Sequence, residues 1–345
     1  MSHTSSLMRQ EIGEASAAVA ELLAAEKAAF DRLAGIFAER GPKFVTTAAR
    51  GSSDHAATFF KYLFEITTGY PVASIGPSIA SVYGAPLKLE GAVHLTVSQS
   101  GASPDIVALQ QAARQAGAFA VALVNDVQSP LARQADLVIG LHAWPEKSVA
   151  ATKSCIAAAA ALAGVTAAIA RDGALSAALA RLPVALAAAV RPPDTGLVRK
   201  IAASRSLFVT GRGTGFAAAL ETALKLKETC GRHAEAFSLA ELMHGPLRLV
   251  EQGFPVIAFT PSDADPAAAG SEEALARLSA LGAGLITIGP AAGAPRSLET
   301  PGTGHALLDV LPALAAAYVL VEEVAQSLGF DPDRPRHLSK VTETR

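Results

Sequence analysis

Hydrophobic and polar positions along the chain follow two regimes. Over residues 1–38 apolar side chains recur at helical spacing, with Leu22, Leu23, Ala25, Phe30, Leu33 and Phe37 available for one stripe. That pattern predicts a single long amphipathic helix ending near Gly35 or Gly41-Pro42, packed on the following domain or on a partner chain. From Lys43 onward short apolar runs alternate with helical stretches, the grammar of βα units and a parallel sheet with helices on both faces. Strands are predicted at 44–47, 72–74, 93–97, 119–124 and 137–139. Five such strands suffice for one flavodoxin-like layer sandwich.

The grammar then restarts. Phe44-Val45-Thr46 followed by Arg50-Gly51-Ser52 is echoed by Phe208-Val209-Thr210 followed by Arg212-Gly213-Thr214. The strand end Val97-Ser98-Gln99-Ser100 is echoed by Phe259-Thr260-Pro261-Ser262 at the same offset of 162 (212 − 50 and 260 − 98). Two landmarks sharing one offset indicate a tandem duplication. The fold class is therefore α/β, with two tandem flavodoxin-like subdomains, each a parallel sheet flanked by helices. The predicted layout is a helix over 1–38, a first domain over 39–190, a second over 197–328 and a tail over 329–345 carrying Lys340. Arg191-Pro192-Pro193-Asp194-Thr195-Gly196 is read as the linker between the copies.

Composition narrows the function classes. With 29 Lys+Arg against 31 Asp+Glu, a net charge of −2 and no block of like charges, the chain has no electrostatic footprint for nucleic acid or an anionic membrane. Half the residues are hydrophobic, but the excess is largely alanine. The uncharged stretch over 154–170, bracketed by Lys153 and Arg171, is shorter than a bilayer span and reads as a buried or interface helix. The amino terminus carries Arg9, Glu11, Glu14, Glu21 and Glu26 with no apolar export segment, which gives a cytoplasmic location as the expectation. Cys155 and Cys230 stand singly within helical patterns, as buried and inert thiols do, and no His spacing suggests a metal.

Two turns carry candidate chemistry. Arg50-Gly51-Ser52-Ser53-Asp54-His55 and Ser98-Gln99-Ser100-Gly101-Ala102-Ser103-Pro104-Asp105 each place hydroxyls and a glycine between a strand and a helix amino terminus. Free backbone N–H groups and the helix dipole attract an anion there, and small residues let a phosphate approach the backbone. The alternative is that these residues are only helix caps. Both turns fall at carboxyl ends of predicted parallel strands, where open α/β sheets bind ligands, so a phosphate is the better reading. Gly211-Arg212-Gly213-Thr214-Gly215 lacks the last glycine of a dinucleotide fingerprint, because position 216 is Phe216.

In the second copy Glu221, Lys225 and Glu228 share one helix face. Such a face is either a solvated salt-bridged surface or a catalytic cluster. His244 follows in Glu241-Leu242-Met243-His244-Gly245-Pro246, where Gly-Pro holds it at a helix end, either as a structural residue or for chemistry. Lys340 closes a polar, proline-rich tail of a kind that ordinarily frays unless docked.

These motifs, together with Val149-Ala150-Ala151-Thr152-Lys153 and Arg336-His337-Leu338-Ser339-Lys340, resemble the sugar isomerase (SIS) family. Within it they are most similar to the isomerase half of glutamine-fructose-6-phosphate aminotransferase, from about Lys43 to Lys340. The resemblance implies a sugar 6-phosphate held by Ser53, Ser98, Gln99, Ser100 and Ser103, with Ser52, Val149 and Ala150 near the sugar. It implies that Glu228 moves a proton between C1 and C2, that His244 assists ring opening, and that Lys340 forms a Schiff base, with Glu221 and Lys225 supporting. It also implies a homodimer in which the histidine reaches the neighbouring subunit's site, and no organic cofactor or metal.

The chain departs from the aminotransferase pattern. An isomerase half without a glutaminase domain is expected, with Ser2 at position 2 and a shorter end after Lys340; Ala102 and Ser103 stand where Glu and Thr are usual, and Ala151 where serine is frequent. The expectation is a glucosamine-6-phosphate deaminase, releasing ammonia and fructose 6-phosphate. A fructosamine or fructoselysine 6-phosphate deglycase and a non-enzymatic sugar-phosphate sensor are the alternatives.

Overall fold

The computed structural model describes residues 5–290 and 297–340. Ser2 and the last five residues of the expected tail lie outside the described residues. The chain forms two compact units.

The first unit comprises Ala17–Glu146 and Lys153–Ala180. Its strands β1 (Val45–Ala48), β2 (Val72–Ser74), β3 (Val93–Ser98), β4 (Phe119–Val124) and β5 (Leu137–Gly140) form one parallel sheet in the order β2-β1-β3-β4-β5. Val45 pairs with Val72 on one side and Val93 on the other, and Val93 pairs with Phe119. β1 and β3 are buried along their whole length, which is why their apolar runs do not alternate.

The amino-terminal pattern resolves into two helices, α1 (Leu7–Ala25) and α2 (Lys27–Arg40), rather than the single helix expected. The break falls at Glu26, whose backbone leaves the helical region (φ −96°, ψ 4°) and whose carboxylate meets His142 Nε2 at 2.7 Å. α2 stops at Gly41, which takes the left-handed conformation and donates its N–H to the Phe37 carbonyl. α3 (Ser52–Thr68) buries Phe59, Phe60, Leu63 and Phe64 at helical spacing. α4 (Ser78–Ser81), α5 (Pro104–Gln115) and α6 (Pro130–Arg133) complete the βα units, and the alanine-rich α7 (Lys153–Ala170) packs against α2 and α3. A Cβ at Gly164 would come within 2.6 Å of the Phe30 ring, so the small residues of α7 permit that close approach.

The second unit comprises the residues up to Ser16, Lys147–Thr152 and Arg181–Lys340. Its strands β6 (Ser206–Gly211), β7 (His233–Ser238), β8 (Pro255–Phe259), β9 (Gly284–Pro290) and β10 (Leu298–Thr300) are parallel in the order β10-β9-β8-β6-β7. Counted from its own first strand, that is the order of the first sheet again, so the duplication read from the 162-residue offset holds at the level of topology.

α8 (Gly173–Ala189) is followed by a short connection. α9 (Thr195–Ala202) starts inside the expected linker because the Asp194 carboxylate accepts the Gly196 N–H at 2.7 Å and caps it. α10 (Thr214–Cys230), α11 (Leu239–Leu242), a 3₁₀ turn (Gly245–Leu249), α12 (Ala268–Ala280) and α13 (Val310–Ser327) follow. α13 packs on α9 and α10, and Phe208, Leu239, Leu242, Val256 and Leu278 centre a core cluster beneath α11 and α12. Lys153–Ala170 and Val310–Ser327 are long and apolar enough to cross a membrane, but 83% of each is buried inside the protein, as in core helices.

Candidate functional site

In the first unit β1 and β3 are neighbours whose succeeding strands, β2 and β4, lie on opposite sides. Their carboxyl ends therefore flank a topological switch point, the place where open α/β sheets bind ligands. Both Gly/Ser turns sit there. Gly51 (φ 55°, ψ −132°) turns the chain into α3, whose first two residues are Ser52 and Ser53, and no side chain caps that helix. Beyond β3, the Ser98 hydroxyl accepts the Gly101 N–H at 3.0 Å and holds the second turn closed. Gly101 (φ 60°) is obligatory, since a Cβ would lie 2.2 Å from Ser129 Oγ. Ser103 occupies the cap position of α5 but makes no capping hydrogen bond.

Neither α3 nor α5 starts on a side-chain capping hydrogen bond, although hydroxyls stand at both helix starts. Gln99 and Ser100 are half-buried beside them, and Ser100 Oγ is 3.4 Å from the Ala102 N–H. Arg50 joins the turns by donating from Nε (3.1 Å) and a terminal nitrogen (2.8 Å) to the buried Asp105 carboxylate in the first turn of α5. Burial pushes the Asp54 carboxyl above its ordinary range, opposed by the charges of His55 and Arg50.

The second unit repeats the turn at β6 and β8. Gly213 (φ 57°, ψ −128°) nearly superposes in dihedral space on Gly51. Here, however, the crevice is lined by Arg212, Thr214, Thr260 and Pro261 together with the carboxylates of Asp265 and Asp309, which suits an anion poorly. Of the glycines read from sequence, Gly211 serves packing, because a Cβ there would lie 2.4 Å from the Gly215 carbonyl oxygen, and Gly213 serves the turn through its positive φ.

The charged face of α10 is not a solvated surface. Lys225 is 1% exposed, with Nζ 2.5 Å from Glu228 Oε2 and 3.4 Å from Glu221 Oε1, and Glu221 is fully buried. Tyr318 of α13 donates its hydroxyl to Glu221 Oε1 at 3.0 Å. Glu228, 22% exposed, is the end of this chain of charges that reaches solvent. A buried ammonium between two carboxylates orients Glu228 and compensates its charge.

His244 is exposed at the junction of α11 and the 3₁₀ turn, donating its backbone N–H to the Glu241 carbonyl. α11 itself starts on the Ser238 hydroxyl, which accepts the Glu241 N–H. Ala150 is buried and Val149 half-buried. The Val149 N–H donates to the carbonyl of Asp333, at 3.1 Å, in the tail that carries Lys340. The tail, expected to fray unless docked, is tied down there: the Asp333 carboxylate also accepts the Leu7 and Met8 N–H groups at 2.8 and 2.7 Å. Arg50, Asp105 and Glu11 stand in segments the sequence singles out, but their partners, like the places of Tyr318 and Asp333, carry no spacing signal. Among the described residues no group of three or more His, Cys, Asp or Glu side chains is arranged to hold a metal.

Fold and turns together define a duplicated flavodoxin-like protein in which the switch point of the first unit is lined by serine hydroxyls. Comparison with known proteins places it further: the SIS domain family matches residues 42–168 and 200–300, and the chain belongs to that family. It is 33% identical over 315 residues to a glutamine–fructose-6-phosphate aminotransferase (isomerizing) of Zymomonas mobilis, covering 86% of this chain and 51% of that protein. The chain thus spans about half the length of the curated relatives it matches. A solved structure from Silicibacter pomeroyi, assigned as a phosphosugar isomerase, is 45% identical with a TM-score of 0.89, covering 95% of this chain and all of that one. The C-terminal domain of the Francisella tularensis glucosamine-fructose-6-phosphate aminotransferase is 25% identical with a TM-score of 0.83, covering 96% and 99%.

Proposed function

We propose that this protein is an amino-sugar-phosphate isomerase that releases ammonia, converting glucosamine 6-phosphate and water to fructose 6-phosphate and ammonia. The observation that carries the reading is Glu228, a largely buried carboxylate that still reaches solvent and is fixed at 2.5 Å by a buried lysine, as a base for a carbon acid needs to be. Membership of the SIS family and the uncapped serine turns support a sugar 6-phosphate as the substrate class.

The phosphate binds Ser53, Ser98, Gln99, Ser100 and Ser103, while Ser52, Val149 and Ala150 face the sugar. His244 assists opening of the pyranose to the C1 aldehyde. Glu228 takes the C2 proton, giving an enaminol, and returns it to C1, leaving a hydroxymethyl group and an imine at C2. Water, or the Lys340 amine followed by water, adds to C2 and ammonia departs, so no net oxidation occurs. The exposed position of His244 supports its delivery to a second copy of the chain, and the assembly is read as a homodimer with shared sites.

The test is ammonia release over a panel of hexosamine and fructosamine 6-phosphates, with borohydride reduction of the imine to a stable secondary amine on Lys340. Glu228→Gln is expected to lower kcat about 10²- to 10⁴-fold, and Lys340→Ala to abolish the adduct. Full ammonia release by either variant overturns these roles. Turnover of fructosamine phosphates alone assigns a deglycase, and binding of fructose 6-phosphate without any turnover assigns a sensor.

A further inference from the structure

Three segments of the second unit that are remote in sequence meet at one point. The first turns of α1 lie at one corner, where Asp333 caps the Leu7 and Met8 N–H groups. One turn further along α1, Glu11 is buried, and its carboxylate accepts the backbone N–H groups of Lys147 and Ser148, the latter at 3.3 Å. The buried Ser148 hydroxyl lies within reach of the same carboxylate and, at 3.0 Å, of the Ala150 carbonyl. The third side is the bond from Val149 N–H to the Asp333 carbonyl. The foundation is α13, through two bonds from Arg9, to Glu322 at 2.5 Å and Glu323 at 2.7 Å.

The circuit closes on itself: helix to loop through Glu11, loop to tail through Val149, tail to helix through the Asp333 carboxylate. The buried Glu11 carboxylate holds its geometry tightly, because slippage leaves a desolvated charge without a partner, while the half-buried Asp333 holds its own through two N–H donors on α1 and its backbone carbonyl on Val149.

We propose that Glu11 and Asp333 are positioning residues that set the sugar-facing loop 147–150 and the Lys340-bearing tail as one piece. Neither touches the reacting carbons; each acts through the backbone that presents Val149, Ala150 and Lys340. The inference rests on the roles proposed above for those three residues. It also explains why a polar, proline-rich tail is ordered, since its Asp333 serves as the amino-terminal cap of a 19-residue helix.

Two measurements on the full chain test it. The first is hydrogen–deuterium exchange without substrate: Glu11→Gln is expected to raise exchange in peptides covering 147–150 and, across the junction, in those covering 331–340. An increase confined to 147–150, or none, overturns the coupling. The second is the initial rate of borohydride trapping of fructose 6-phosphate on Lys340, with inorganic phosphate binding as the control for an intact serine turn. Glu11→Gln and Asp333→Asn are each expected to slow trapping about ten- to a hundredfold with phosphate binding kept. The double variant is expected to be no slower than the slower single variant. Trapping at the unaltered rate, or strictly multiplicative losses, overturns the proposal. Should either variant fail to fold, Glu11→Asp and Asp333→Glu retain the charge and shift it by one methylene, with a smaller loss in the same direction. If the unaltered protein itself forms no Lys340 adduct, the catalytic reading fails instead, and exchange alone decides the junction.

Discussion

Glu228 depends on Lys225 for its direction, and Lys225 depends on Glu221 and on Tyr318 beyond it. The spacing of the three charges was legible in the sequence, since residues three and four apart share a helix face. What covers that face was not, because Tyr318 stands 97 positions from Glu221. His94 illustrates the same limit: it was read as part of an apolar strand, yet it is wholly buried, with Nδ1 2.8 Å from Thr46 Oγ1. Burial lowers its pKa from 6.5 to about 4. The unfolded chain therefore binds a proton below pH 6.5 that the folded one refuses until near pH 4. Stability is full above pH 6.5 and falls through that window, by on the order of 3 kcal/mol in all. Chemical denaturation across pH 4–8 should show this loss, and His94→Val should remove its share of the slope. An unchanged slope would show that His94 finds a proton acceptor in the fold.

The βα turn is where element and chemistry meet. Gly51 and Gly213 adopt almost the same left-handed geometry, and at neither would a Cβ meet another atom within 4 Å. Gly51→Ala and Gly213→Ala should accordingly cost similar backbone strain, about 1–2 kcal/mol each. Their effects on KM should diverge: Gly51→Ala disturbs the turn beside Ser52 and Ser53 and raises KM for a sugar phosphate, whereas Gly213→Ala leaves it unaltered. Equal effects on KM would mean that both crevices bind substrate. The glycines and serines of these turns were readable in the chain, but the start of α3 was not. Its first turn, Ser52-Ser53-Asp54-His55, is polar because it faces the crevice, so the apolar period begins only at Ala56. The break at Glu26 was hidden for the converse reason, as the apolar stripe runs on across it while the carboxylate is drawn to His142.

Across the whole molecule, duplication preserved the strand order while the linings diverged: serine hydroxyls stand at the first switch point, and Asp265 and Asp309 join Arg212, Thr214 and Thr260 at the second. If His244 is supplied by a second copy, then mixing His244→Ala with Glu228→Gln, each inactive alone, should rebuild one intact site in every mixed dimer. Random exchange of subunits would restore about a quarter of full activity. No recovery after verified subunit exchange would place His244 and Glu228 in the same chain's site.

The sequence by itself determined the twinned α/β architecture, the two hydroxyl-rich turns and the shared face of Glu221, Lys225 and Glu228. All of these follow from short covalent spacings: strand and helix periods, and turns that only glycine tolerates. Tertiary structure alone decided that the Lys225 face is buried, that Arg50 reaches Asp105, and that Glu11 and Asp333 knit helix, loop and tail together. Those partners lie 136 positions apart from Glu11 to Lys147 and 325 from Met8 to Asp333. Such contacts are set by how the chain returns to itself, which no local pattern of polar and apolar residues encodes.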